Sequence, residues 1–122
     1  MTGTPPRDRV VKIVGDLPEA TASGDQHLTL AVRKKTFGYF LDDHHGDGIV
    51  GVALKAAAGE QDALVRSDPS RYYVPSYLGS KGWVGVRLDV DGVDWGEVRE
   101  LITEAYRLQA PRTLLRQLSE HS

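Results

Sequence analysis

The chain of 122 residues contains no cysteine. That absence removes disulfides, thiolate nucleophiles and cysteine-ligated zinc together. No apolar run approaches the ~18 residues that a membrane span requires. The N-terminus, Met1 to Arg7, has no apolar stretch of the secretory kind. A cytoplasmic address with no membrane partner is the resulting expectation. An excess of positive charge is missing as well. The 15 basic and 17 acidic residues leave a net charge of −2 and a pI of about 6.0. A domain that holds nucleic acid through its phosphates is usually strongly basic. Internal repeats and low-complexity segments are also absent.

What is present is ordinary globular composition, 40% apolar and 26% charged. The length fits one domain, residues 1–122, with a folded core of about 5–118. Thr4 as N-cap and Pro5 at the first helical position open a helix. Val10, Val11, Ile13, Val14 and Leu17 form its apolar side, and Gly15 and Pro18 end it near residue 16. Residues 18–26 read as a loop. The period then becomes two: Leu28, Leu30 and Val32, then Phe37, Tyr39 and Leu41, then Val50, Val52 and Leu54. Short polar breaks between these strands predict an antiparallel meander.

Gly59 to Ser67 reads as a short helix stopped by Asp68-Pro69. Tyr72 to Val74 is a brief strand. Val84, Val86 and Leu88 give a further strand by strict alternation. Asp94 is a strong N-cap for the next helix, with Glu97 placed to bond back to the cap and Val93 and Val98 as a hydrophobic staple. Its stripe is Val98, Leu101, Ile102, Ala105 and Tyr106. Leu101 and Ile102 should lie buried with Val84, Val86 and Leu88. Pro111 opens a last amphipathic stretch carrying Leu114, Leu115 and Leu118. The order α-β-β-β-α-β-β-α, with a further helix at the end, predicts an α+β fold: a two-layer sandwich of antiparallel β-sheet packed against helices.

Several stretches resemble the MmcQ/YjbR family of small bacterial proteins. They are Arg33 to Phe40, Ala53-Leu54-Lys55-Ala56, Tyr72 to Val86, Val93-Asp94-Trp95, Leu101 to Arg107 and Ala110-Pro111. The most specific piece is Lys81-Gly82-Trp83, and the resemblance covers residues 17 to about 115. It implies a two-layer fold of the secretion-chaperone or frataxin-like kind and a DNA-binding role, without a catalytic mechanism. Ala105 stands where the family commonly has serine, and the Asp42–Gly48 hairpin is longer and richer in histidine.

Three constellations are candidates for function. Asp42-Asp43-His44-His45-Gly46-Asp47-Gly48 has a metal-like composition. Read as a calcium loop, it puts Leu54 where a bidentate acid belongs. Read as a zinc site, it lacks a third ligand at normal spacing. Exposed turn chemistry explains the same residues, so neither a metal nor another cofactor is expected. Arg33, Lys34, Lys35 and Lys81, joined in space by Lys55 and Arg71, would contact DNA phosphates if they gather. The ordinary alternative is a solvated strand terminus, where lysine also discourages edge pairing. Tyr73, Tyr77 and Trp83 would wall a cleft for a small molecule or a protein partner. Their ordinary alternative is packing between sheet and helix. Gly79-Ser80-Lys81-Gly82 has neither nucleophile-elbow nor phosphate-loop spacing, so no enzyme is indicated. Two readings follow: a DNA-binding module through the basic residues, or a non-enzymatic small-molecule or protein-binding module in the Tyr77–Trp83 region.

Overall fold

The structure, a computed structural model, describes residues 4–43, 46 and 48–120. Helix α1 (Pro6–Gly15) starts one residue later than expected, with Pro5 as N-cap. It buries Val10, Ile13 and Val14. The segment expected to be a loop holds strand β1 (Ala20–Ser23), which pairs antiparallel with β2 (Leu28–Val32). Its Ala-Thr-Ala-Ser sequence carries no apolar alternation. Pairing with β2, rather than its own propensity, makes it a strand. Glu19, at φ 57°, turns the chain into it.

Strand β3 (Lys35–Asp42) returns from β2 through a two-residue turn. Arg33 at φ 49° and Lys34 at φ 68° both adopt the left-handed conformation that such a turn requires. Strand β4 (Val50–Leu54) completes the meander. Helix α2 (Glu60–Ser67), strand β5 (Tyr72–Tyr73), a 3-10 turn at Gly79–Lys81 and strand β6 (Val84–Arg87) follow. The chain ends in α3 (Trp95–Gln109) and α4 (Arg112–Glu120). The six strands form one antiparallel sheet in the order β1-β2-β3-β4-β6-β5.

One alternation changes face. A register shift opposite Leu30 and Ala31 leaves Phe37 as an extra residue in β3. Both Phe37 and Gly38 therefore address the core, a consequence of the bulge. A side chain at Gly38 would place Cβ 2.8 Å from Leu54 Cδ2. From that point Phe40 faces the helices, whereas Tyr39 and Leu41 face away. Phe37, Tyr39 and Leu41 are thus not one stripe.

Leu28, Leu30, Val32, Phe40, Val52, Leu54, Val84 and Val86 form the sheet's half of the core. Val98, Ile102, Ala105 and Tyr106 of α3 cover it, with α1 beside them and Leu114 of α4 inserted. Asp94 caps α3 as expected, accepting from Glu97 N–H at 3.1 Å. The Glu97 carboxylate does not return a bond to the cap. It accepts from the Tyr72 hydroxyl, tying α3 to β5. Leu101 is only partly buried and lines a cleft of about 130 Å³ with Lys55, Glu60 and Leu108. Ile102 alone of that pair reaches the core centre.

Candidate functional site

The antiparallel register sorts charged residues to the two ends of the sheet. Val32, Lys35, Leu54 and Val84 mark one end, because Val32 opposes Lys35 and Leu54 opposes Val84. Lys34 sits in the turn at that end, Lys55 follows Leu54, and Lys81 closes the 3-10 turn just before Trp83. Lys34, Lys35, Lys55 and Lys81 thus arrive from three separate chain segments. The two strand spacings from β3 across β4 to β6 amount to about 10 Å.

Aspartates occupy the opposite end. Asp42 ends β3 beside Val50, Asp89 and Asp91 follow β6, and Asp25 lies in the turn joining β1 to β2. Asp89 receives Arg87 Nε at 2.9 Å and the Val50 N–H at 3.3 Å. These donors, the Arg87 guanidinium first, hold its carboxyl below the usual aspartate range. Both ends also carry the opposite sign: Glu60 and Glu104 line a cleft with Lys55, and Arg71 and Arg87 stand at the aspartate end.

Arginine and lysine divide their roles. Seven arginines, 7, 33, 66, 71, 87, 99 and 107, make ion pairs. No lysine makes one among the described residues. Arg33 is held by Glu19 through two bonds of 2.6 and 2.9 Å. That pairing lowers the Glu19 carboxyl and raises the Arg33 guanidinium from their ordinary values. Arg71, expected as a possible addition to the basic group, pairs with Asp68 at the aspartate end. Of the four sequence candidates, Lys34, Lys35 and Lys81 remain exposed at the lysine end, and Arg33 beside them is neutralised.

The aromatic candidates separate. Trp83 precedes Val84, so it lies on the sheet face turned away from the helices. There it stacks on Tyr39, with ring centroids 6.0 Å apart, and keeps 7% exposure. Gln61 of α2 fixes the segment by donating to the carbonyls of Gly79 and Trp83 at 2.9 and 2.6 Å. Tyr73 occupies the same face, lying across two glycines. A Cβ on Gly85 would fall 2.3 Å from Tyr73 Cζ, and one on Gly51 2.7 Å from its hydroxyl oxygen. Tyr77 stands apart, 80% exposed at φ 65°. Sequence reasoning did not single out Tyr39, because the bulge that turns it beside Trp83 has no compositional signature.

His44, His45 and Asp47 of the metal-like loop lie outside the described residues. Asp43 accepts the Gly48 N–H at 2.6 Å, and its own N–H donates to Ile49 O at 2.9 Å. These bonds are those of a closed turn. Among the described residues no three His, Asp or Glu side chains gather as a metal site. None of the helices described is long and apolar enough to cross a membrane.

The YjbR family matches residues 15–108, most of the chain. This chain belongs to the YjbR family. The YjbR chain is similar in fold to Deinococcus radiodurans protein DR2400, whose crystal structure contains a DUF419 domain. The TM-score is 0.70 at 20% identity, covering 93% of this chain and 87% of that one. Likeness at that identity establishes the fold. No curated protein matches.

Proposed function

We propose that this YjbR protein is a non-enzymatic module that binds DNA through its phosphates at the lysine end of the sheet. The reading rests on Lys34, Lys35, Lys55 and Lys81 lying toward one end of the sheet, opposite the aspartates, with no ion pair among the described residues. Phosphate contacts release condensed counterions, so local rather than total charge sets affinity. An acidic opposite pole orients the protein on the duplex by repulsion. Lysine suits contacts without base readout, being a hydrated point charge on a flexible stem. The lysines of this end lie in turns and at strand ends rather than on a helix that could enter the major groove, so sequence preference should be weak.

The test is fluorescence anisotropy on a mixed-sequence duplex. With three or four phosphates neutralised, affinity should fall roughly 40- to 150-fold between 50 and 200 mM salt. The pair Lys34→Glu and Lys81→Glu should weaken low-salt binding at least tenfold. Arg66→Glu, the same charge change in the exposed Arg66–Asp62 pair of α2, should leave it within twofold. Absence of binding at low salt, or equal loss with Arg66→Glu, overturns the proposal.

A further inference from the structure

A second cationic group lies on the helical layer, independent of the lysine end. On α1, Arg9, Lys12 and Ile13 fall at helical spacing on one side, and on α3 Trp95 and Arg99 are one turn apart. Together these five residues line a cleft of about 150 Å³ between the two helices. Ile13, 4% exposed, forms its apolar floor. The Arg9 guanidinium lies over the Trp95 ring at 5.1 Å from the centroid. Arg99 is held by Asp16 at 3.1 Å. Neither the Arg9 nor the Lys12 side chain has an acceptor among the described residues.

We infer that this cleft is an anion site for a small phosphomonoester. Three cations face one carboxylate, so the cleft carries an uncompensated charge of two. The ring contact orients a guanidinium fork that can take two oxygens of one anion, and Lys12 adds a point charge beside it. A dianionic headgroup with three oxygens matches two such donors better than a carboxylate or a diester does. The apolar floor offers a surface for a short carbon skeleton beside the anion. Trp95 packs one side against the core and leaves a ring face to Arg9.

The probe is glycerol phosphate, with dimethyl phosphate as the monoanionic diester. Binding is followed by the indole N–H resonance of Trp95 in two-dimensional NMR, which separates it from Trp83. A saturable shift of the Trp95 signal alone is expected, with dimethyl phosphate at least fivefold weaker. Lys12→Ala, an exposed position, should weaken binding at least fivefold with an unchanged melting temperature. Arg9→Lys, which keeps the charge but removes the fork, should do likewise. A Trp95 signal that does not saturate overturns the site. Equal binding of the diester overturns the monoester class, and indifference to both substitutions overturns the residue assignment. Lys34→Glu with Lys81→Glu should leave this binding intact, so the two proposals fail separately.

Discussion

Tyr106→Phe tests how the helical layer is anchored to the chain before β1. Tyr106 is fully buried and meets Phe37 edge-on, with centroids 5.8 Å apart at 90°. Its hydroxyl donates to the Pro18 carbonyl at 2.8 Å, across a sequence separation of 88 residues. Burial raises its pKa above the ordinary tyrosine value, so the phenol remains a protonated donor through neutral pH. Removing the oxygen keeps the ring packing and deletes one bond, a net loss of about 0.5–1.5 kcal/mol. The stranded carbonyl adds desolvation cost, limited because Pro18 is half-buried and water can reach it. A loss of about 1–2 kcal/mol is therefore expected. Tyr106→Ala deletes the ring as well and should cost about 3–5 kcal/mol. Urea denaturation at pH 7 measures both, and unchanged m-values would place the effects in the folded state. Amide exchange should also speed up at Ala20 and Ala22, since the lost bond adjoins β1. A Phe variant as stable as wild type, or an Ala variant no worse than Phe, would refute this account.

Two further outcomes follow from burial and ionisation. Leu101→Ala, in a partly buried position beside an existing cleft, should cost about 1–2 kcal/mol in urea denaturation, less than Ile102→Ala at about 2–5 kcal/mol. Equal losses would mean that the cleft is filled in solution. The Asp89 carboxyl is lowered below its ordinary value of 3.8, first by Arg87 and then by the Val50 N–H. A depressed carboxyl stabilises the fold above its unfolded-state pKa, and that contribution disappears as pH falls through the folded value. Asp89→Asn should therefore be less stable than wild type at pH 7. The gap should close at acid pH, and a gap constant from pH 7 to pH 2 would rule out the assignment.

The elements legible in the sequence were those whose signals are local. Asp94 followed by Glu97 and the Val93–Val98 pair locates the start of α3. The alternation of Val84, Val86 and Leu88 locates β6 and the core residue beyond it. What stayed hidden depends on partners distant in sequence. β1 exists because β2 offers it a ladder. The inversion after Phe37 exists because a bulge places two residues opposite one. Trp83 reads as filler between sheet and helix, yet Tyr39 receives it on the other face. Glu97 reads as a capping partner, and the Tyr72 hydroxyl takes it instead. The site suffers the same limit. Lys34, Lys35, Lys55 and Lys81 are separated by up to 47 positions, and only strand register brings them to one pole.

That register also decides between two explanations of the lysines. Lysine on a sheet edge can serve to block pairing with another chain. The edges of this sheet are β1 and β5, and neither holds a lysine. Lys34, Lys35, Lys55 and Lys81 attend the ends of β2, β3, β4 and β6, strands already paired on both sides. Protection of an open edge therefore does not account for Lys55 or Lys81, while Lys35 lies beyond the Gly38–Leu54 pair at which β4 ends. Seven of the ten arginines, whose planar forks suit a fixed carboxylate, are in ion pairs, while four of the five lysines stand unpaired at one end of the sheet and Lys12 stands on α1. Glu60 and Glu104 line a cleft with Lys55, so both signs meet at this end, and the proposed polyanion contact rests on Lys34, Lys35 and Lys81, which are exposed and in no ion pair.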